Sequence, residues 1–340
     1  MYANRPIIGV TLGDIAGIGP EIVVKSLLVQ RVYGKCRPVI IGDTRVVTQA
    51  ARISNLHPKV NSVNAVTECE FKHEIIDVLD LHNVDPRRIR IGKINVEAGK
   101  AAAQYIHEAV KLALQKEIHS VATAPINKEA MNKAGFSYPG QTELFVALSK
   151  VKDAEIMLIS KHFRIVHVTR HVPLNRVAEM ITKERVLRAI RFAQTGLTGL
   201  LGIQAPTIGV SALNPHCGDG GLLGLEEINE IEPAVKSAQR EGINAIGPIS
   251  VDAILRVARK RSFDGVVVMY HDQGHIAVKM LGITRGVNVT LGLPIIRTSV
   301  DHGTNFGKAG KGTADPTSLI QAIKLASVMC RNRRRFLRQY

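Results

Sequence analysis

The sequence predicts an α/β protein built on mixed, largely parallel sheets, and three observations lead to this prediction. Short apolar runs alternate along the chain with segments of helical periodicity, as in folds whose helices connect parallel strands. Glycines gather where the apolar runs end, as expected of turns between strands and helices. The chain has 340 residues, of which 45% are hydrophobic, so it can bury a sizeable core and favours two domains.

Each element follows from a local pattern. Apolar runs bounded by glycine, proline or polar residues predict strands over residues 6–12, 38–42, 119–124, 155–160, 164–169, 207–211 and 265–270. Apolar residues at helical spacing, as in Val96, Ile106 and Val110, predict helices over residues 20–28, 44–51, 95–116, 183–200, 225–240, 252–261 and 316–330. There is no internal repeat and no obvious linker, so we expect two domains that share an interface.

Charge and composition restrict the possible partners. The chain has 45 Lys and Arg against 29 Asp and Glu, a formal charge of +16, which is compatible with nucleic acid, an anionic surface or small anionic substrates. Aromatic residues make up 4%, tryptophan is absent, and no nucleic-acid-binding module is recognisable, which argues against nucleic acid. The basic run at residues 331–338 is interpreted as a solvated tail.

Three further features bear on location. No apolar run reaches the ~18 residues that a membrane-spanning helix needs, so we expect no membrane span. The N-terminus lacks the layout of a signal peptide. The four cysteines lie far apart without a CxxC pair, which argues against a disulfide scaffold or a zinc knot and favours a reducing cytoplasm.

Two glycine- and polar-rich turns are candidate binding sites. The sequence GDIAGIGPE at residues 13–21 lets backbone N–H groups approach an anion at a helix N-terminus, although a tight packing turn explains it equally well. It is not the GxGxxG dinucleotide fingerprint. In TAPINKEA, Thr123, Asn127 and Lys128 follow a strand, where a polar ligand would bind; Asn127 as a helix cap is the competing interpretation.

Three histidines are candidate metal ligands. His171, His216 and His271 each lie just past a predicted strand or in a glycine-rich loop, and three imidazoles can hold one divalent metal with positions open for substrate. Spacing alone leaves this open, because histidines are common in loops. Asp252 could orient these histidines or bind metal, with helix capping as the alternative.

The segment from residue 279 to 315 carries polar side chains between glycines. Lys279, Asn288 and Arg297 suit the binding of a phosphate or carboxylate, which Arg can grip through two parallel hydrogen bonds. The loop Asp301-His302-Gly303-Thr304 could hold the adenosine part of a nucleotide by backbone contacts.

Taken together, these motifs resemble the 4-hydroxythreonine-4-phosphate dehydrogenase family. The matching segments are GDIAGIGPE, TAPINKEA, GQTE, NPHCGDGG, MYHDQGH and GVNVTLGLPIIRTSVDHGT, and the resemblance covers residues 7–329. It implies a two-domain fold similar to isocitrate and isopropylmalate dehydrogenases, in a homodimer whose active sites lie in the interdomain cleft at the dimer interface. A larger domain with the nucleotide-binding loop would comprise residues 1–128 and 288–340, and a metal, substrate and dimerisation domain residues 129–287.

The resemblance also implies roles for the site residues. A divalent metal (Zn, Co, Ni, Mn or Mg) would be bound by His171, His216 and His271, one of them from the partner subunit. Substrate would contact Gln141, Thr142, Lys279, Asn288 and Arg297, and NAD would lie along the loop of Asp301, His302, Gly303 and Thr304. Lys279 and Asp252 are the expected catalytic residues, Lys279 for proton relay or charge stabilisation.

Two positions depart from the family pattern. Ile15 replaces the usual proline, and Gln141 replaces the usual histidine of GHTE, which leaves a neutral amide in place of a substrate-contacting imidazole. The expected reaction is oxidation and decarboxylation of 4-phospho-D-threonate or 4-phospho-D-erythronate to dihydroxyacetone phosphate and CO2. The alternatives are 4-hydroxythreonine-4-phosphate dehydrogenase of pyridoxal phosphate biosynthesis and, more remotely, a non-catalytic binding protein on the same fold.

Overall fold

The computed structural model describes residues 5–160, 163–260, 262–280 and 286–339, with side chains as far as residue 333. Its strands, in chain order, are β1 (Ile7–Thr11), β2 (Arg37–Gly42), β3 (Lys59–Val63), β4 (Ile75–Asp80), β5 (Ser120–Thr123), β6 (Glu155–Ile159), β7 (Arg164–His167), β8 (Ile208–Ser211), β9 (Ala245–Ile249), β10 (Gly265–Val268), β11 (Val287–Leu291) and β12 (Ile296–Val300).

The α-helices, in chain order, are α1 (Gly19–Leu27), α2 (Gln30–Tyr33), α3 (Thr44–Ile53), α4 (Val96–Leu114), α5 (Lys128–Lys133), α6 (Gln141–Leu148), α7 (Val177–Met180), α8 (Lys183–Thr195), α9 (Glu232–Arg240), α10 (Val251–Arg259), α11 (His271–Met280) and α12 (Thr317–Gln339). Short π-helical segments follow α8 (Gly196–Leu200) and precede α9 (Glu227–Ile231). None of the helices in the described ranges is both long and apolar enough to cross a membrane.

The chain divides into two compact units, the first formed by Met1–Ala154 and Leu293–Arg331 and the second by Glu155–Gly292 and Asn332–Tyr340. Residues 155–292 of the second unit interrupt the first unit. The family resemblance implies divisions at 128/129 and 287/288, whereas these two units divide at 154/155 and 292/293. The first shift has a packing cause. A Cβ on Gly99 of α4 would lie 2.3 Å from the backbone of Ala130, so α5 packs tightly on α4 and belongs to the first unit.

The first unit contains a fully parallel sheet with strand order β3-β4-β2-β1-β5-β12. Ile8 and Val10 of β1 are fully buried, as expected of parallel strands covered on both faces. The long helix α4 begins where the Asn95 side chain accepts a hydrogen bond from the amide of Ala98 at 3.0 Å, a typical N-cap. Because β1, β5 and β12 run in parallel, their carboxyl ends open onto one edge.

The second unit contains a mixed sheet with strand order β11-β6-β7-β10-β8-β9. The strand β6 pairs antiparallel with β11 and β7, whereas β7, β10, β8 and β9 run parallel. The carboxyl ends of β7, β8 and β10 therefore lie at one edge, where the three predicted metal-ligand histidines follow in the chain. The predicted class, α/β with largely parallel sheets, is confirmed.

Several elements differ from the sequence-based expectation. The predicted strands and helices all occur, most with boundaries shifted by a few residues, and the predicted end of one helix, residue 261, lies outside the described residues. The last helix, α12, continues to Gln339, nine residues past its predicted end, so the basic run at residues 331–338 is helical and not a separate tail. The strands β3, β4, β9, β11 and β12 were not predicted. The strand β3 has mostly exposed or intermediate residues, Asp77 interrupts the apolar run of the buried strand β4, and β11 and β12 lie within a segment interpreted as a binding loop.

Candidate active site

A buried arginine forms the centre of the polar cluster in the first unit. Arg297 lies on β12 beside Val121 of β5, and only 3% of it is exposed. Its Nη2 donates to Thr123 Oγ1 at 3.1 Å and to Gln141 Oε1 at 3.3 Å, and its Nη1 donates to Thr142 Oγ1 at 3.2 Å. Three residues predicted to bind substrate, Gln141, Thr142 and Arg297, are therefore in direct contact.

The environment of Arg297 keeps it charged and oriented. The guanidinium lies 5.0 Å from the ring centre of Phe145, which is fully buried on α6, a cation–π arrangement. Burial lowers the pKa of Arg297 to about 10, while the charge of Glu143 acts in the opposite direction. The guanidinium is thus protonated at neutral pH, and its planar fork suits a carboxylate or phosphate oxygen pair.

The loop after β5 serves local structure more than binding. The Asn127 side chain accepts a hydrogen bond from Ala130 N at 2.8 Å and caps α5, so the capping interpretation holds for this residue. Pro125 O accepts a hydrogen bond from Asp14 N at 2.9 Å, which joins this loop to the glycine-rich turn after β1.

The glycine-rich turn packs against the predicted cofactor loop. Ile18 N donates to Thr304 O at 2.9 Å, and a Cβ on Gly17 would lie 2.8 Å from Thr304 Cβ, so this approach requires glycine. Thr304 is buried, whereas His302 and Gly303 are exposed and Asp301 is half-buried. Accessible polar groups beside a helix N-terminus fit the ribose and pyrophosphate of a nucleotide.

Asp14 is a titratable group that the sequence did not single out. It is fully buried in the glycine-rich turn, and its Oδ1 accepts a hydrogen bond from Ala16 N at 2.8 Å. Burial raises the pKa of Asp14 to about 6, although hydrogen bonds from backbone amides act in the opposite direction.

Two of the predicted metal ligands lie side by side in the second unit. His171 follows β7 and His271 begins α11 after β10, and their ring centres are 5.8 Å apart. His271 Nδ1 lies 2.7 Å from Asp272 Oδ1. Since a carboxylate only accepts, this contact places the hydrogen on Nδ1 and leaves the lone pair of Nε2 for a metal. The donor chemistry of this pair therefore fits a divalent ion such as Zn, Co, Ni or Mn.

Behind this pair is a stack of imidazoles. The four-residue spacing of His271 and His275 predicts that these two share a helix face, whereas the sequence did not indicate His167. The ring of His275 lies 3.9 Å from that of His271 at an interplanar angle of 7°, and its Nδ1 bonds to the carbonyl of His271 at 3.2 Å. The buried His167 lies 4.9 Å from His275, and burial lowers the pKa of His167 well below its ordinary value. The repeated spacing of four residues, His167/His171 and His271/His275, is the signal that could have indicated this cluster.

His216, the third predicted metal ligand, lines a different cavity from His171 and His271. It lines a cavity of about 720 Å³ together with Asp252, Tyr270 and Asp272, whereas His171 and His271 line a cavity of about 250 Å³ that also borders Tyr270 and Asp272. Over the residues that the structure describes, no three His, Cys, Asp or Glu side chains are close enough to hold a metal. A third ligand contributed by a partner subunit therefore stays a prediction.

The loop that carries His216 has an unusual backbone. Six consecutive residues adopt positive φ angles of 51°, 57°, 77°, 46°, 65° and 102°, namely His216, Cys217, Gly218, Asp219, Gly220 and Gly221. Left-handed backbone costs a residue with a side chain roughly 1–2 kcal/mol, so this turn persists only because neighbouring groups hold it.

Two buried side chains hold the base of this loop. Glu227 Oε1 accepts hydrogen bonds from Leu213 N at 2.8 Å and Asn214 N at 2.7 Å, and its Oε2 accepts one from Asn214 Nδ2 at 2.9 Å. Gln273 Oε1 accepts a hydrogen bond from Met269 N at 2.8 Å, and its Nε2 donates to Ala212 O at 3.0 Å. Gln273 thus connects the strand ends that precede His216 and His271.

The remaining predicted residues lie elsewhere in the second unit. Lys279 is exposed on the last turn of α11, eight residues and about 12 Å along the helix axis from His271. Asp252 is exposed in the first turn of α10, and Asn288 is half-buried on β11. The structure of one chain does not bring Lys279 into contact with the histidine pair.

Known proteins resemble this chain over nearly its whole length. The sequence profile of the family described as "Pyridoxal phosphate biosynthetic protein PdxA" matches residues 34–326. A protein of Clostridium botulinum named "Putative D-threonate 4-phosphate dehydrogenase" is 43% identical over 327 residues, which is 96% of this chain and 98% of that protein.

Solved structures agree. A crystal structure of a 4-hydroxythreonine-4-phosphate dehydrogenase from Klebsiella pneumoniae matches with a TM-score of 0.90 and 36% identity, covering 97% of this chain and 99% of that one. An enzyme of the same name from Burkholderia phymatum matches with a TM-score of 0.85 and 41% identity over 96% and 98% of the two chains. These relatives are named as dehydrogenases and share the fold described above, so this chain is an oxidoreductase that belongs to the PdxA family.

Proposed function

We propose that this chain is an NAD- and divalent-metal-dependent dehydrogenase of a 4-phosphorylated C4 3-hydroxy acid, with D-threonate 4-phosphate or D-erythronate 4-phosphate as substrate. Oxidation removes a hydride from C3 and the proton of its hydroxyl group and leaves a 3-keto acid. Breaking the C1–C2 bond then releases CO2, and a proton added at C2 completes dihydroxyacetone phosphate. The name of the Clostridium botulinum relative supports this choice of substrate.

The buried Arg297 is the observation that carries the proposal. A fully desolvated guanidinium, oriented by Thr123, Gln141 and Thr142, is suited to bind one anionic group of a substrate that has both a phosphate and a carboxylate. The formal charge of +16 gives a surrounding field that favours such a doubly charged acid.

The other residues bind the two cofactors. His171 and His271 would hold the metal, with Asp272 keeping His271 in the tautomer that exposes Nε2, and residues 301–304 would hold NAD. When bound, the metal supplies Lewis-acid polarisation of the C3 oxygen, and NAD accepts the hydride. Lys279 and Asp252 are the proposed catalytic residues, Lys279 for proton relay or charge stabilisation and Asp252 near the metal. A cytoplasmic homodimer in which a partner subunit supplies one of the three histidines is also part of the proposal.

A second candidate is 4-hydroxythreonine-4-phosphate dehydrogenase of pyridoxal phosphate biosynthesis, which the names of the matched crystal structures favour. Its substrate carries an amino group at C2 where the phospho-sugar acids carry a hydroxyl group. The difference is therefore one of charge and hydrogen bonding at a single position. A non-catalytic binding protein would bind the same ligands without turnover.

A substrate panel tests these candidates directly. The full-length protein with NAD and each of several divalent metals is incubated with D-threonate 4-phosphate, D-erythronate 4-phosphate and 4-hydroxythreonine 4-phosphate, and NADH absorbance gives kcat/KM for each. We expect the highest kcat/KM for one of the two phospho-sugar acids. A preference for the amino acid substrate would establish the second candidate, and no NADH with any substrate and metal would overturn a dehydrogenase role.

Arg297→Gln tests the observation on which the proposal rests. Losing a desolvated charge at a binding site costs about 2–5 kcal/mol, so kcat/KM should fall by roughly 30-fold or more. The matched control is Arg87→Gln, because Arg87 lies in the same unit with 88% of its side chain exposed. Equal kcat/KM values for the two variants would contradict the role of Arg297.

A further inference from the structure

The side chain of Gln141 is bound at both ends. Its Nε2 donates to Ala124 O at 3.0 Å, and its Oε1 accepts from Nη2 of Arg297 at 3.3 Å. A guanidinium only donates and a carbonyl only accepts, so these two neighbours allow a single orientation of the amide. Gln141, the first residue of α6, thus connects the end of β5 to the arginine on β12.

This connection fixes the guanidinium of Arg297. Gln141 Oε1 and Thr123 Oγ1 share Nη2, and Thr142 Oγ1 binds Nη1. The fixed acceptors thus lie on two elements, β5 and the first turn of α6. They are neutral oxygens, and an acceptor of this kind directs the guanidinium without neutralising its charge.

We infer that Gln141 is a positioning residue for the substrate anion, because it holds Arg297 in the orientation that binds one anionic group of the phosphorylated hydroxy acid. The inference rests on the proposed function and specifies how residue 141 takes part in it. The family resemblance implies direct contact between substrate and an imidazole at this position, whereas here the amide acts through Arg297. A carboxylate in its place would keep the acceptor for Arg297, lose the donor to Ala124 and compete with the substrate for the guanidinium.

Two variants and one matched control test this role. Gln141→Glu should raise KM for the phospho-acid by roughly 10- to 100-fold, the loss expected when a hydrogen bond to a charged group is removed or masked. We expect kcat and the KM for NAD to stay within about threefold, because the affected group binds the anion. Gln141→Leu should raise KM by a smaller factor, since it removes both hydrogen bonds without adding charge.

Gln30→Glu is the control, because Gln30 is also the first residue of a helix in the same unit and is exposed; its KM should equal that of the wild type. Binding of inorganic phosphate, followed by titration calorimetry, provides a readout that does not need turnover, and circular dichroism checks that each variant is folded.

The possible outcomes distinguish the positioning role of Gln141 from the proposed dehydrogenase function. Turnover by the wild type with an unchanged KM and phosphate affinity in folded Gln141→Glu would overturn the inference and leave the proposed function intact. Phosphate binding that Gln141→Glu weakens, without turnover by the wild type, would support the positioning role and overturn the dehydrogenase proposal. Neither turnover nor phosphate binding by the wild type would overturn both.

Discussion

Replacing Glu227 with glutamine is expected to destabilise the loop that carries His216. The carboxylate of Glu227 is 3% exposed and accepts hydrogen bonds from two backbone amides, those of Leu213 and Asn214, and from the side chain of Asn214. Glutamine keeps the shape but replaces one oxygen with an NH2 group. If the remaining oxygen accepts from the two backbone amides, the new NH2 group faces the side-chain NH2 of Asn214. Two donors cannot bond to each other, so this hydrogen bond is lost.

The expected size follows from this change in bonding. Hydrogen bonds to a charged group contribute about 1.5–3 kcal/mol each, against about 0.5–1.5 kcal/mol for neutral pairs. The substitution replaces three hydrogen bonds to a charged group with two hydrogen bonds to a neutral one, which lowers stability. Part of this loss is offset, because burying a neutral amide costs less desolvation free energy than burying a carboxylate. We therefore expect Glu227→Gln to lower the free energy of unfolding by about 2–4 kcal/mol.

Urea denaturation measures the global effect, and amide hydrogen exchange measures it at the two bonded amides. Protection of Leu213 and Asn214 should fall first, because the left-handed turn at residues 216–220 loses the group that holds its base. Glu226→Gln is the control, since Glu226 bonds to the side chain of Asn214 at 2.7 Å and is half-buried; it should cost less than about 1 kcal/mol. Equal unfolding free energies and equal protection in the two variants would refute the reasoning.

Three further predictions concern stability. Burial raises the pKa of Asp14 from 3.8 to about 6, so the stability of the wild type should fall by about 3 kcal/mol as the pH rises through this window. In urea unfolding at several pH values, Asp14→Asn should remove this pH dependence of the unfolding free energy. The same pH dependence in the variant and the wild type would contradict its assignment to Asp14. Gly274→Ala would place a Cβ 2.5 Å from His167 Nε2, so its unfolding free energy should fall by about 1–3 kcal/mol. Gly199→Ala, whose Cβ would meet nothing within 4 Å, should not lower Tm, and equal melting of the two variants would exclude overpacking. Tyr105→Phe should leave the free energy of unfolding unchanged or raise it by up to about 1 kcal/mol, because the buried hydroxyl has no hydrogen-bond partner among the described residues. A lower melting temperature in the variant would show that such a partner exists.

The fold was predictable where burial leaves a clear pattern in the sequence. The strand β1 is a run of buried apolar residues, and α4 has apolar residues at helical spacing with Asn95 as its cap, so local composition specifies both. The strand β3 could not be predicted because its burial pattern is mostly exposed or intermediate, and a strand of this kind is specified by its neighbour β4. The domain divisions depended on the close approach of Gly99 to Ala130, a tertiary contact that no local pattern reveals.

The sequence indicated which types of side chain could form the candidate site, but not how those side chains are arranged. Polar residues between glycines indicated Arg297 and Gln141 as candidate site residues, but the sequence could not show that the two side chains bind each other across more than 150 residues. Asp14 and Glu227 were missed because a buried carboxylate that binds backbone amides looks like any acidic residue in a turn or helix. His167 was missed because it ends an apolar strand, where an imidazole is usually just a core residue.

The insertion of one unit within the other has a consequence for synthesis on the ribosome. The strand β12, with Arg297, pairs with β5 but follows it only after residues 155–292 have been made. At 5–20 residues per second, this interval lasts roughly 10–30 s. During that time β5 is an edge strand of the first unit, because its neighbour β12 has not yet been made. Contacts between residues far apart in the sequence, such as the β5–β12 pairing, also form slowly. Arg297, the residue that we propose to bind the substrate anion, is thus among the last parts of the candidate site to be synthesised. If that proposal holds, a nascent chain cannot bind substrate before its second unit has been translated.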